Sequence, residues 1–156
     1  METRLQQELK QSRPFESLEA MALLNILRTA AWLTHRQEQL MKEWDLTGVQ
    51  YNVLRILRGA GQEGRSCQEI GERMVTLDSD ITRLLDRLEK RGWISRKRDA
   101  QDRRIVRVWI ASPGRKVLEQ LDAPLRQWTK KHLGWLDEKQ LRVLSECLEE
   151  IRTEPT

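Results

Sequence analysis

The chain has 156 residues, 33% of them charged and 38% hydrophobic, with a formal net charge of +4. This length fits one compact domain or two small lobes that share a core, and the composition excludes a disordered chain. Two cysteines and two histidines are too few for a disulfide framework, a cysteine-built zinc site or a histidine-rich catalytic cluster, so we expect no cofactor. The longest apolar run has five residues, and the N-terminus lacks the apolar core of a signal peptide, which predicts a cytoplasmic protein.

The first predicted element is one long helix from Glu16 to Lys42, preceded by an N-terminal extension over residues 1–15. Eleven of the fourteen residues from Ala20 to Leu33 are apolar. A helix that is apolar nearly all round must be buried on more than one side. At 1.5 Å per residue it would be roughly 40 Å long. We therefore expect this helix to pack against a second copy of the chain.

Capping signals mark the next helices. Thr47–Gln50 and Ser66–Glu69 each place a hydroxyl three residues before an amide or carboxylate side chain, the pattern of a capping box. The first of these helices is predicted to end near Gly59, and the second to be short. A third helix, from about Asp78 to Arg91, is predicted from leucines at helical spacing and ends at Gly92.

After this helix the pattern changes to that of a β-hairpin. Trp93–Arg98 and Arg104–Ile110 read as strands, and the turn between them is basic. Ser112 followed by proline predicts the N-cap of the next helix, and Pro124 should kink or split that helix.

A last helix is capped by Asp137, with leucines inward. The element order predicts a mostly α fold with a small β-hairpin wing. This is a winged helix-turn-helix DNA-binding lobe joined to a helical dimerisation lobe, in which the second helix of the pair enters the major groove.

The charge is concentrated around the hairpin. Between Arg83 and Arg107 ten lysines and arginines face four acids, a local net charge of +6. Such a density inside a folded pattern is expected of a surface that meets a phosphate backbone, although most charge runs are merely solvated. The predicted partner is therefore double-stranded DNA.

The first turns of a recognition helix meet base edges, and Ser79, Thr82 and Arg83 carry suitable groups there. Asp80 has two interpretations: it stabilises the positive helix N-terminus, or it accepts from a cytosine amine. Arg83 and Arg87 either contact DNA or pair with acids one turn away.

The hairpin tip supplies Arg98, Arg103 and Arg104. A guanidinium there can enter a narrow minor groove, where negative potential is concentrated. Asp102, two residues before Arg104, is predicted to hold that arginine in a fixed rotamer. The alternative is a solvated basic turn without function.

Three segments, Leu46–Leu54, Asp80–Gly92 and Arg98–Arg104, resemble the multiple-antibiotic-resistance regulator (MarR) family. The resemblance implies a dimeric winged-helix transcription factor, most often a repressor, whose first and last helices interlock and whose small phenolic or other ligand binds between the lobes. By matching position, Asp102 and Arg104 correspond to the family's Asp-x-Arg pair in the wing. The residues that correspond to the base-reading positions are Ser79, Asp80, Thr82 and Arg83.

The resemblance implies one domain over residues 16–152. Within it, 46–111 form the DNA-binding lobe, while 16–45 and 112–152 form the dimerisation lobe. Two departures from the family concern Val75, where a small residue is usual, and Ile110–Gly114, where only the apolar residue and the glycine are kept. We expect a tighter or helical turn at the first and a cap at Ser112 at the second.

Six tryptophans in 156 residues are many. Their ordinary role is packing, and the sharper hypothesis is an aromatic pocket for a small aromatic ligand. The residues assigned to this pocket are Trp32, Trp44, Tyr51, Trp109 and Trp128.

Two other functions stay open. One is a winged-helix module that binds proteins without reading DNA, and salt-dependent DNA binding would separate it from the first hypothesis. The other is a redox-sensing regulator, for which Cys67 in the first turn of a helix is the candidate. An enzyme is disfavoured, because the sequence has no phosphate loop, paired nucleophile or metal spacing.

Overall fold

The computed structural model describes residues 3–76, 80–99 and 102–153. The helices are α1 (Arg4–Leu9), α2 (Leu18–Met41), α3 (Gly48–Ala60), α4 (Cys67–Gly71), α5 (Ile81–Lys90), α6 (Ser112–Leu133) and α7 (Glu138–Ile151). The strands are β1 (Arg65–Ser66), β2 (Ile94–Arg98) and β3 (Val106–Ile110), and a 3₁₀ turn at Lys42–Trp44 follows α2. The mostly helical fold with a small hairpin wing is confirmed. No helix within these ranges is long and apolar enough to cross a membrane.

The sheet is antiparallel and has the order β1-β3-β2. The predicted hairpin is present, with Ile94 opposite Ile110 and Arg98 opposite Val106. We call β2, β3 and the turn that joins them the wing. Strand β1 was not predicted, because two residues carry no readable alternation; it lies against β3 just before α4.

The core lies where α3, α4, α5, β3 and α6 meet. Most of the largest fully buried side chains come from these elements, and they are Val53, Leu54, Leu57, Ile70, Leu85, Leu88, Val108, Leu118 and Leu121. By contrast, α2 buries only Met41, and no residue of α7 is buried. Within the residues that the structure describes, the apolar faces of α2 and α7 are therefore only partly covered.

Capping predicts most helix starts correctly. Thr47 and Asp137 form reciprocal capping boxes with Gln50 and Gln140, and Ser66 does so with Glu69. The short α1 was missed, although Thr3 and Gln6 form the same box. The signal was therefore present in the N-terminal extension.

Three predicted details are wrong. The N-cap of α6 is Ala111, which offers no side-chain acceptor, and Ser112 is the first helical residue. Of the two effects predicted for Pro124, the split is wrong, because α6 runs unbroken from Ser112 to Leu133, and the kink stays a prediction. The missing N–H costs one helical bond, and the buried Leu121 and Leu125 hold the helix in place on either side of it. Helix α5 begins at Ile81 rather than near residue 78.

The start of α6 passes very close to Trp93, the residue just before the first strand of the wing. A Cβ atom on Gly114 would lie 2.4 Å from the backbone oxygen of Trp93. That oxygen also accepts the Ala111 N–H at 2.8 Å. Only glycine fits this crossing without moving the backbone.

Candidate nucleic-acid interface

The connection from α4 to α5 is held from outside the helix pair. Asn52 on α3 accepts the backbone N–H of Val75 through its Oδ1, at 2.8 Å. The Val75 side chain is 85% exposed, so a residue larger than glycine is tolerated there. The segment 72–76 follows α4 as a short turn and not as a continued helix.

Asp80 is the N-cap of α5. Its Oδ1 accepts the backbone N–H of Arg83 at 3.1 Å, and its Oδ2 lies 3.2 Å from Arg83 Nε. The carboxylate therefore stabilises the helix start, which is the first of the two roles that the sequence left open. Ser79 lies outside the described residues.

Replacing Asp80 tests which role matters. Asp80→Ala should lower the free energy of unfolding by about 0.5–2 kcal/mol, because it removes the cap acceptor, whereas Asp80→Asn should keep most of that stability. Urea denaturation measures both variants. Equal losses in the two variants would contradict the capping role. A changed base preference for Asp80→Asn in site selection would indicate contact with a cytosine amine instead.

Helix α5 divides cleanly into two faces. Leu84, Leu85 and Leu88 are buried, while Thr82, Arg83 and Arg87 are exposed. The Arg83 side chain is 81% exposed even though it pairs with Asp80. Its guanidinium is thus accessible to a duplex laid along this face.

The tip of the wing is a hydrogen-bonded turn. Asp102 Oδ1 accepts the backbone N–H of Arg104 at 2.9 Å, and Asp99 Oδ1 accepts that of Asp102 at 3.2 Å. Asp102 therefore shapes the backbone of the turn. The prediction that Asp102 fixes the Arg104 guanidinium is not what the structure shows, since its contact is to the main chain.

Several cations of the α5 and wing surface are exposed and make no ion pair with another residue in the described ranges. We call this set the exposed arginines: Arg87, Arg98, Arg103 and Arg104. They lie on α5 and at the tip of the wing, where sequence analysis expected DNA contacts.

Arg96 joins the wing to α5. Its Nη2 lies 2.6 Å from Asp86 Oδ1, and its buried Nε lies 3.2 Å from Glu89 Oε2 without hydrogen-bond geometry. Its side chain is only 18% exposed. Sequence analysis counted Arg96 among the basic residues of the hairpin and missed this role, because the partners lie on another element.

Arg107 holds the base of the wing. Its guanidinium pairs with Asp99 and lies 3.6 Å from Glu69 Oε2. A hydrogen bond from the Ser66 backbone N–H holds the pKa of Glu69 below its ordinary value, so that carboxylate stays charged. At least three of the ten cations counted in the sequence are therefore structural, since Arg91 also lies 3.4 Å from Asp45 Oδ2 and 3.6 Å above the Trp93 ring, beside Arg96 and Arg107.

Only two of the five aromatic residues assigned to a ligand pocket come together in the part of the chain that the structure describes. Trp32 and Trp128 both contact the His132 ring, at centroid distances of 5.2 and 4.5 Å. Trp44 donates to Gln120 Oε1 at 3.1 Å, and Trp109 donates to the backbone oxygen of Gln62 at 2.9 Å. Trp44 is thus held against α6, and Trp109 is held against the loop that follows α3.

Tyr51 lies apart from all four and lines a cavity of about 510 Å³ between α3 and α6. We call this cavity the α3–α6 groove. Its charged lining residues are Arg55, Arg58, Asp122, Arg126 and Lys130. Sequence analysis missed these cations, since nothing in the spacing of residues 55 and 126 indicates that their helices pack together.

Comparison with known proteins identifies relatives of one kind. The MarR family model matches residues 46–106. The HTH-type transcriptional regulator YfiV of Bacillus subtilis (strain 168) is 33% identical over 124 residues, which cover 73% of this chain and 76% of YfiV. TtmR of Methylorubrum extorquens (strain PA1) is 32% identical over 107 residues, 69% of this chain but 54% of TtmR. The HTH-type transcriptional repressor IacR of Pseudomonas putida is 27% identical over 118 residues, 76% of this chain and 70% of IacR. The chain thus spans about half the length of TtmR and more of the other two.

Solved structures similar to this chain are of the same kind. A MarR transcription factor from Planctomyces limnophilus is 37% identical, with a TM-score of 0.66, over 87% of this chain and 98% of that chain. The S. aureus MepR–DNA complex has a TM-score of 0.74 at 21% identity, over 86% of this chain and 96% of the MepR chain. PcaV from Streptomyces coelicolor, solved with its natural ligand, has a TM-score of 0.67 at 25% identity, over 79% of this chain and 88% of the PcaV chain. The MepR match, at this identity, supports the fold alone.

Proposed function

The chain belongs to the MarR family of transcriptional regulators, and from this premise we propose that it is a homodimeric repressor that releases its DNA when it binds a small aromatic acid. The repressor role is supported by IacR, and a ligand by PcaV, each through what its own name states. We also propose one domain over residues 16–152, with residues 46–111 as its DNA-binding lobe.

The observation that supports DNA binding is that the exposed arginines lie on α5 and on the wing beside it. In our proposal, Thr82 and Arg83 meet base edges in the major groove, together with Ser79. Asp80 joins them when its carboxylate leaves the N-terminus of α5. Arg87 contacts the backbone, and Arg98, Arg103 and Arg104 follow the wing toward the minor groove, with Asp102 shaping its turn.

Selection of binding sites from random duplexes, with the purified full chain, tests this proposal. Arg83→Ala should relax base preference at one position, because a guanidinium that forks onto guanine distinguishes that base by about 1–3 kcal/mol. Affinity should also fall as salt rises, since phosphate contacts release counterions. Uniform weakening on every sequence would make Arg83 a phosphate contact. No salt-dependent DNA binding at all would favour the protein-interaction alternative.

Dimerisation is proposed from the uncovered faces of α2 and α7. Leu23 and Leu27 on α2 are 57% and 56% exposed in one chain, and Leu144 and Ile151 on α7 are 43% and 66% exposed. Apolar surface of this extent marks an interaction site. A second copy with the same two helices would cover it in a self-complementary way.

Light scattering should give a mass of twice 18.5 kDa at micromolar concentration. Leu27→Glu should shift the protein toward monomer, since it puts a charge into the proposed interface, while Gln62→Glu adds the same charge on a distant loop and should leave the mass unchanged. A wild-type chain that is folded and monomeric would contradict the dimer. A dimer should select an imperfect palindrome with half-site centres about one helical turn apart.

A further inference from the structure

The C-terminal end of α5 is closed by a regular pattern of hydrogen bonds. The Gly92 N–H donates to the Glu89 oxygen at 2.8 Å, and the Trp93 N–H donates to the Leu88 oxygen at 3.0 Å. Gly92 has a φ of 68°, and a left-handed residue with these two bonds forms a Schellman motif. Trp93 is only 8% exposed, and its backbone oxygen accepts the Ala111 N–H. The last turn of α5 is therefore held firmly against the residues that follow it.

Arg91, the C-cap of this helix, reaches across to the segment that joins α2 to α3. Its Nη1 donates to the backbone oxygen of Asp45, and its Nη2 donates to that of Trp44 at 3.4 Å. Nη1 also lies 3.4 Å from Asp45 Oδ2. The guanidinium carbon lies 3.6 Å from the centroid of the Trp93 ring. We call these contacts of Arg91 the guanidinium clamp.

The segment that the clamp holds is itself fixed in place. Met41 and Leu46 are 0% and 4% exposed, and the Leu46 N–H donates to the Met41 oxygen at 3.3 Å. Asp45, between them, has a φ of 49°, in the left-handed region that few residues other than glycine, asparagine and aspartate adopt. The Trp44 indole donates to Gln120 Oε1 on α6. The clamp thus connects the end of α5 to a turn that is anchored on α2 and α6.

This connection crosses the boundary between the two lobes that we propose. The ion pairs of Asp86 and Glu89 with Arg96 join α5 to the wing, inside the DNA-binding lobe. The clamp instead reaches residues 44 and 45, at the end of the dimerisation lobe. Apolar packing of the α5 leucines is non-directional, whereas a planar guanidinium on a ring, with two carbonyl acceptors, fits in one position and one orientation. The clamp therefore fixes where α5 lies relative to the dimerisation lobe.

We infer that Arg91 determines which half-site spacing the protein accepts, as a positioning residue that contacts no base itself. The inference rests on the proposed function, because it requires a dimer that binds DNA. In such a dimer, each α5 is tied through its clamp to the α2 helix of the dimer interface, so the distance between the two α5 helices is set. Half-sites about one helical turn apart match one such distance, and a different spacing does not.

The shape of the guanidinium matters here more than its charge. The Asp45 side chain is 96% exposed, and an ion pair at such a surface contributes little. The two backbone oxygens and the Trp93 ring receive a side chain that is only 30% exposed. A lysine would bring the same charge, but it cannot lie flat on the ring and donate to both oxygens at once.

The test compares the operator obtained by site selection with duplexes that have one base pair more or one fewer at its centre. The wild type should bind both altered duplexes at least about tenfold more weakly, because a misplaced half-site loses base contacts. Arg91→Ala should bind all three duplexes within about threefold of one another, since an α5 without its clamp can shift and turn, at the cost of preorganisation. Fluorescence anisotropy at physiological salt measures the three affinities.

Three further variants separate geometry from charge. Arg91→Lys should lose the discrimination between spacings as Arg91→Ala does, because it keeps the charge without the planar fork. Asp45→Asn should discriminate like the wild type, since asparagine keeps the backbone acceptor and tolerates the left-handed conformation. Lys90→Ala, which removes the neighbouring exposed cation, should also discriminate like the wild type. Melting curves of the free proteins establish that each variant is folded, and Arg91→Lys carries the comparison if Arg91→Ala is not.

Each outcome decides a different point. Wild-type ratios between the three duplexes that persist in Arg91→Ala and Arg91→Lys would overturn the inference and leave the proposed function intact. If those ratios persist while Arg91→Ala binds every duplex more weakly, Arg91 is a phosphate contact. A wild-type chain that binds all three duplexes equally, or binds none of them, would contradict the proposed DNA-binding dimer and the inference together.

Discussion

Arg104→Ala should weaken binding to the selected DNA site by about 1–3 kcal/mol, a loss of roughly 5- to 150-fold, which is the scale of a good groove contact. The Arg104 side chain is exposed at the tip of the wing, and its backbone is fixed by Asp102. Removing the side chain therefore removes the contact and leaves the turn in place. Fluorescence anisotropy with a labelled duplex at physiological salt measures the change.

Lys131→Ala is the control for this experiment, since it removes one positive charge from α6, away from α5 and the wing. Its affinity should remain within twofold of the wild type. If Arg104→Ala binds as tightly as Lys131→Ala, then the wing does not enter a groove, and the DNA contacts would be confined to α5.

Gly114→Ala should lower the free energy of unfolding by about 1–3 kcal/mol, the usual cost of forcing an extra methyl group into a packed site. The new Cβ atom would lie 2.4 Å from the Trp93 backbone oxygen. That oxygen cannot retreat without loosening its hydrogen bond to the Ala111 N–H. Urea denaturation followed by far-ultraviolet circular dichroism measures the difference.

The matched control is Gly59→Ala. Gly59 lies inside α3, and a Cβ atom there would have nothing within 4 Å. The substitution should stabilise the protein by about 0.5–1 kcal/mol, because alanine favours the helix. A Gly114→Ala variant as stable as Gly59→Ala would show that the start of α6 yields easily and that the close approach is unimportant.

Local chemistry made much of the fold predictable. Thr47, Ser66 and Asp137 begin helices because a cap needs only a neighbour three residues away, and that neighbour is visible in the sequence. Ser112 misled for the same reason: it resembles a cap, but the hydrogen bond from Ala111 to Trp93 sets the start of α6 one residue earlier. Pairing between distant segments, as in β1 with β3, leaves no such local mark.

The candidate site was predictable in kind but not in detail. The basic character of α5 and the wing follows from counting residues. Counting does not show which of these cations remain available to bind DNA, because Arg96 and Arg107 pair with acids that meet them only in the folded chain. The aromatic pocket stays a prediction; composition cannot say that Trp44 hydrogen-bonds to Gln120 on α6 while Trp109 hydrogen-bonds to the backbone of Gln62.

The ion pairs of Arg96 with Asp86 and Glu89 set a fixed offset between α5 and the wing. In the proposed binding mode, α5 meets bases and the wing meets the adjacent minor groove. One extra base pair between these two contacts would move that groove by about 3.4 Å and turn it by about 35° around the duplex axis. The wing cannot follow without breaking its tie to α5. In evolution, a chain built this way can acquire new operators by exchanging bases within a half-site, but a half-site of different length requires a different wing.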